Sequence, residues 1–211
     1  MILASQSPRR RELLEAVGFE LAIAPADIDE HRTPGEKPVE LVARLAREKA
    51  EASRAAWAAS GAAVPADRLL VAADTIVWTA DDVLGKPADA ADARHMLKEL
   101  SGQTHHVTTG VCLMLLDDAC EVAQTACFTD TSDVEFWPLS EAEIAAYVAT
   151  GEPLDKAGSY GIQGEGRLLV RRISGDYSNV VGLPVSHVVR ELATLTDNPG
   201  LLADLMEGRR A

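Results

Sequence analysis

The stretch RLLVAADTIVWT, residues 68–79, is an apolar run interrupted by a single carboxylate. Its length, its branched aliphatic content and the turn residues on either side (GAAVPAD before it, TADD at its end) mark it as a strand. The apolar positions are continuous rather than alternating. Such a strand is buried on both faces, as in a sheet covered by helices. Asp74 stands in the middle of it. A carboxylate there has to be paired, hydrogen-bonded or bound to a metal, because an unpaired buried charge costs too much. Two readings stay open at this point. One is a structural salt bridge, for instance with an arginine; the other is a general base or metal ligand beside phosphate.

Toward the N-terminus, the spacing predicts a short strand at MILAS (1–5), a tight loop, and a helix ending at Gly18. Ser7 then Pro8 reads as a hydroxyl N-cap with proline at the first helical position. The first turn carries Arg9, Arg10 and Arg11. Exposed cations there oppose the helix dipole at about 0.3–1 kcal/mol each. With backbone N–H groups and the hydroxyls of Ser5 and Ser7, they would form a cradle for phosphate. The alternative is a solvated basic turn with the arginines splayed toward Glu12 or Glu15.

FELAIAP (19–25) predicts a second strand, followed by the acidic, proline-punctuated loop ADIDEHRTPGEKP (26–38). A long helix follows from Pro38 to about Ser60, supported by Glu40–Arg44, Arg44–Glu48 and Arg47–Glu51 pairs at helical spacing. Val42, Leu45 and Lys49 share its inward stripe, so Lys49 either snorkels out or reaches a buried anion.

Beyond the central strand, VLGKP (83–87) leads to a helix over 89–100 with Ala93, Met96, Leu97 and Leu100 on one face. HHVTTGVCLMLLDD (105–118) and CEVAQTACFTDTSDVEFWP (120–138) predict an antiparallel pair around Asp117–Asp118. Ser140 and Glu143 form a capping box for a helix ending before Gly151. PLDKAGSYGIQGEG (153–166) is a glycine-rich loop, and a last helix is expected around 185–195. The tail from Thr196 is partly polar and expected to be loosely held. Helix-joined and hairpin-joined strands together predict an α/β fold with a mixed sheet.

Composition narrows the function. The chain has 211 residues, 47% of them hydrophobic and 25% charged, as in a globular protein with a substantial core. Its net charge of −13 argues against a general nucleic-acid binder and against an acidic membrane surface. A polyanionic ligand would need a local basic cluster. No apolar run is long enough to span a bilayer, and the first residues lack a signal-peptide core, so a cytoplasmic enzyme is expected. Cys112, Cys120 and Cys127 lack metal spacing and predict neither a disulfide framework nor zinc, but small buried hydrophobes. Lys86 and Lys156 lie in Gly- or Pro-punctuated loops of the kind that position functional groups, and Asp29 and Glu30 could supply carboxylates to a divalent ion. Basic groups for phosphates and carboxylates for Mg²⁺ fit metal-assisted hydrolysis of a phosphoanhydride.

The ordered set LASQSPRRRELL, ARLAREKA, AADTIV, LGKP, LSGQTH and LDKAGSYGIQG resembles the Maf family of nucleoside triphosphate pyrophosphatases over residues 2–195. The resemblance implies an elongated mixed sheet flanked by helices with a central cleft, similar to inosine triphosphate pyrophosphatases. It implies one catalytic domain over 1–195, two lobes around a cleft, with 196–211 as a C-terminal tail. It also implies cleavage of a triphosphate between the α and β phosphates with Mg²⁺ or Mn²⁺, as a cleaner of nucleotide pools. On the matching positions, Asp74 is the proton acceptor. Arg10, Lys49, Lys86 and Lys156 bind phosphate with Ser5 and Ser7, and Glu30 and Asp74 hold the metal. Arg9, Thr75 and Gln163 are tied to base choice, and AGSYGIQG looks like the branch acting on dTTP and UTP. A glutamine amide offers both donor and acceptor to the O4 and N3–H edge of such a base. The alternatives are the branch acting on 7-methyl-GTP or broader purines, and a nucleotide-binding regulator of septum formation with little catalysis. Arg11 has no matched role, and a homodimer is left open by the sequence.

Overall fold

The computed structural model describes residues 1–80 and 82–208; Asp81 of the TADD turn and residues 209–211 of the tail lie outside the described residues. The strands are β1 (Ile2–Leu3), β2 (Ala22–Ile23), β3 (Leu69–Trp78), β4 (Val83–Leu84), β5 (Thr104–Leu116), β6 (Val122–Phe136) and β7 (Val170–Ser174). The helices are α1 (Pro8–Ala16), α2 (Pro38–Ser60), α3 (Ala90–Leu100), α4 (Glu141–Ala149), α5 (Tyr177–Val181), α6 (Val185–Leu195) and α7 (Leu201–Met206). The seven strands are ordered β2-β1-β3-β5-β6-β7, with β4 also on β3. β1 runs parallel to β2 and β3, while the β3–β4 and β6–β7 pairs are antiparallel. This is the mixed α/β sheet expected from the connections.

The chain divides into two compact units. Among the described residues, the first comprises 1–74, 109–129 and 182–208; the second comprises 75–80, 82–108 and 130–181. In the first, the side chains of β3 alternate between two cores. Leu69, Val71 and Ala73 pack with Leu14 of α1, Val188 and Leu192 of α6, and Leu201 of α7. Leu70 and Ala72 pack on the other face with Ala46 and Ala50 of α2. The same parity puts Asp74 on the face that α2 covers. Contact there is close: a Cβ on Gly110 of β5 would lie 2.2 Å from the Val42 carbonyl oxygen of α2. Only glycine lets the helix seat at that height.

The second unit has its own core, with Ala93, Leu97 and Leu100 of α3 and Ile144, Tyr147 and Val148 of α4 packed on Val77, Val107, Val134 and Phe136. The capping box of α4 forms as expected, with Ser140 N–H donating to Glu143 Oε2 at 2.7 Å.

Three expectations are corrected. The tail is not loose over residues 201–206: α7 buries Leu201 and packs Leu202 and Leu205 against the first unit's core. Glu40 does not pair with Arg44; its carboxylate accepts the Lys37 N–H at 3.1 Å and caps α2. Cys127 is exposed rather than buried, with its Sγ 2.7 Å from that of Cys112 across the β5–β6 hairpin. Among the described residues, no helix is long and apolar enough to cross a membrane.

Candidate active site

Asp74 is 8% exposed, and its Oδ1 accepts a hydrogen bond from Lys49 Nζ at 2.6 Å. The partner is thus a lysine, where an arginine was the alternative considered. The reason is helical spacing: Lys49 lies three residues after Ala46, on the stripe of α2 that covers the Asp74 face of β3. The same ammonium reaches Glu30 Oε1 at 2.7 Å. Lys49 therefore does not snorkel to solvent. Its side chain is 12% exposed, and the anions it reaches are two carboxylates of its own chain.

The SQSPRR segment contributes beside them. The Ser7 hydroxyl, expected to cap α1, makes no capping bond. Ser5 organises the turn instead: its buried Oγ accepts from the Ser7 N–H at 3.1 Å and from Arg10 Nη1 at 3.2 Å. Arg10 also donates from Nε to the Gly182 carbonyl at 2.9 Å, so its guanidinium is held inward rather than splayed. Burial is the largest influence on that guanidinium and lowers its proton affinity. Asp74 opposes the effect, Arg9 adds to it, and Glu30 opposes it. Arg10 thus lies within electrostatic reach of both carboxylates and of the half-buried Arg9. Arg11 points elsewhere and is exposed on Glu15 at 2.7 Å. The first unit therefore brings together Ser5, Ser7, Arg9, Arg10, Glu30, Lys49 and Asp74. Asp29 turns away, bonded to His31.

In the second unit, the loops carrying Lys86 and Lys156 are tied by a hydrogen bond from Gly158 N–H to the Gly85 carbonyl at 3.1 Å. Gly158 has φ +67° and lies against Val77, where a Cβ would come within 2.8 Å of Cγ1. Lys86 is exposed. Lys156 is 15% exposed; its ammonium donates to the Glu152 carbonyl at 2.7 Å and to Asp155 Oδ1 at 2.6 Å. Gln163 is exposed on the same glycine-rich segment, which folds as short 3-10 turns at 152–155, 157–159 and 165–168. Thr75 is half-buried on β3, and as the residue after Asp74 it takes the opposite face.

Glu152 anchors this segment, a role the sequence reading missed. Its Oε1 accepts from the Tyr147 hydroxyl at 2.9 Å and its Oε2 from the Glu165 N–H at 2.8 Å. In the same unit, the buried His105 shares a 2.8 Å hydrogen bond between Nε2 and the Tyr160 hydroxyl. Burial, and secondarily the neighbouring His106, lowers the His105 pKa to about 4, so the ring is neutral at physiological pH. The signal for Glu152 was weak because its partners are backbone N–H groups and a hydroxyl, which leave no charge pattern in the chain.

No three His, Cys, Asp or Glu side chains among the described residues form a ready-made metal cluster. Mg²⁺ does not need one, since it takes one or two carboxylates and completes its shell with phosphate and water oxygens. Glu30 and Asp74, meeting on one ammonium, have the hard-oxygen chemistry for such an ion.

A family model described as "Maf-like protein" matches residues 1–195. The chain belongs to the Maf family. Among its relatives, a protein of Anaeromyxobacter dehalogenans (strain 2CP-C) named dTTP/UTP pyrophosphatase is 50% identical over 186 residues, 88% of this chain and 89% of its own length. A protein of Bacillus cytotoxicus with the same name is 46% identical over 191 residues, 90% of this chain and 93% of its own. The Maf match spans both units, from the SQSPRR turn through α6.

Proposed function

We propose that this Maf protein hydrolyses dTTP and UTP to the nucleoside monophosphate and pyrophosphate. The observation that carries the reading is the buried Asp74, bonded to a lysine that also meets Glu30, beside Arg10, in a chain 50% identical to a protein of that name. Asp74 accepts the proton of the attacking water. Lys49 and Arg10, with Lys86 and Lys156, balance the triphosphate and the charge that develops on the leaving pyrophosphate. Ser5 and Ser7 shape the phosphate-binding turn. Arg9, Thr75 and Gln163 select the base, the Gln163 amide pairing with O4 and N3–H of uracil or thymine. Glu30 and Asp74 would hold Mg²⁺ or Mn²⁺, which supplies Lewis-acid neutralisation of phosphate charge when bound. Residues 1–195 act as one catalytic domain, working in the cytoplasm on the nucleotide pool.

The test is pyrophosphate release from dTTP, UTP and 7-methyl-GTP, each with Mg²⁺ and with Mn²⁺. Turnover is expected on dTTP and UTP, with 7-methyl-GTP slower. Faster release from 7-methyl-GTP overturns the role given to Gln163. No release from any triphosphate overturns the hydrolase reading and favours a nucleotide-binding regulator of septum formation.

A further inference from the structure

Glu30 lies on a long connection, residues 24–37, that contains no helix or strand. A carboxylate on such a segment is poorly placed for chemistry unless the backbone on either side is held. The start of the segment is fixed: Ala24 N–H donates to the Leu3 carbonyl at 3.0 Å, and its own carbonyl accepts from the Ser53 hydroxyl at 2.6 Å. The far side is held by one side chain. Arg44 of α2 grips Glu36 with two bonds, Nε to Oε1 at 2.7 Å and Nη2 to Oε2 at 3.0 Å. Its Nη2 also donates to the carbonyl of His31, the residue after Glu30, at 3.0 Å. Its Nη1 is braced from behind by Glu48, at 3.1 and 3.3 Å. Glu36 returns the grip on the segment: its Oε2 accepts the Thr33 N–H at 3.0 Å and its carbonyl accepts from Arg32 Nε at 2.7 Å.

Arg44 and Lys49 sit five residues apart on the same helix. A rigid helix therefore carries both the clamp on the Glu30 segment and the ammonium that Glu30 meets.

We propose that Arg44 is a positioning residue, clamping Glu36 and the His31 carbonyl so that the Glu30 carboxylate is presented to Lys49 beside Asp74. The inference rests on the role given above to Glu30. The guanidinium suits the task because one planar fork satisfies a carboxylate bidentately and still has donors for a backbone carbonyl and a second carboxylate. The Glu36 carboxyl is held down to about 2, mainly by its bonds from Arg44, so the grip persists across the neutral range.

Two readouts test it. Amide hydrogen exchange on the full chain, without nucleotide or metal, reads the clamp directly. Arg44→Gln and Glu36→Gln should both raise exchange over residues 29–36 while leaving β3 and β5 protected. Steady-state pyrophosphate release from dTTP reads the consequence. Each variant should lose about 10–100-fold in kcat/KM, the usual cost of removing a group that orients a ligand-bearing side chain. In a Glu30→Gln background the same substitutions should add almost nothing, since there is no carboxylate left to place. A general structural role predicts the same loss in both backgrounds, and that result overturns the proposal. Unchanged exchange over residues 29–36 overturns it as well. If Arg44→Gln does not fold, Glu36→Gln carries both arms, because it keeps Arg44 and its bond to Glu48. The exchange arm needs no turnover, so failure of the hydrolase reading and failure of the clamp are read separately.

Discussion

Lys49 and Lys156 are covered to nearly the same degree, with 12% and 15% of their side chains exposed, yet they are held in opposite ways. Lys49 rises from the middle of a 23-residue helix onto a strand, and both its partners are carboxylates, one of them buried. Lys156 lies between two 3-10 turns. Its partners are a backbone carbonyl and Asp155, whose side chain is 69% exposed. One lysine is part of the folded charge balance of its unit. The other is parked on groups that water can replace. The difference teaches that similar burial does not mean similar energetic weight: what matters is whether loss of the cation leaves an anion stranded in a low-dielectric site.

The largest expected effect falls on the partner of Lys49. Asp74→Asn should cut pyrophosphate release from dTTP by about 10²–10⁴-fold, the range for loss of a general base, with the thermal unfolding midpoint little changed. An Asp74→Asn enzyme with near-normal turnover would end the assignment of Asp74 as the proton acceptor.

Next comes the direct comparison. Lys49→Met removes the ammonium that Asp74 and Glu30 share and should destabilise the protein by about 3 kcal/mol, the lower end for broken buried pairs. Lys156→Met should cost no more than about 1 kcal/mol, as for an exposed pair. Denaturant melts of the two variants decide it, and equal losses would break the comparison.

At neutral pH the smallest effect, none at all, is that of a third group, which acts only in part of the pH range. His105 in the second unit has its pKa lowered from 6.5 to about 4 by burial. Between pH 6.5 and 4 the unfolded chain therefore binds a proton that the folded ring refuses, and stability falls as pH drops through that window. The loss reaches on the order of 3 kcal/mol only at pH 4, and it is absent above 6.5. Glu36 in the first unit acts lower down: its stabilisation, full above pH 4.5, is lost as pH falls to about 2. Urea melts from pH 7 to 4 should show a shallower slope for His105→Gln than for the parent. An unchanged slope would remove His105 from the account.

Much of this was legible in the chain. The run at 68–79, the helix from Pro38 to Ser60, the hairpin about Asp117 and the capping box at Ser140 all have local causes, and each forms within a few residues of its expected bounds. Asp74 was conspicuous because a carboxylate inside an apolar strand needs a partner. Which partner was not legible. Lys49 is 25 residues away, and only the parity of β3 combined with the face of α2 brings the two together. Nor was it legible that Ser5, rather than Ser7, would order the turn: its hydroxyl, just after β1, accepts from the Ser7 N–H and from Arg10, while the Ser7 hydroxyl makes no cap.

The three arginines show the division most plainly. Their presence at the start of a helix in a protein of net charge −13 follows from sequence alone, and it left two readings open, a local anion site and a solvated basic turn. That Arg10 is drawn in to Gly182 was decided by the tertiary structure, whereas Arg11 makes the local pair with Glu15 that helical spacing offered. Sequence by itself determined most of the strands and helices, though not α5 or α7, together with the family and the kinds of charge available. Tertiary structure decided which charges meet, because pairing energies depend on distance and burial, and residues far apart in the chain acquire both only when the elements pack.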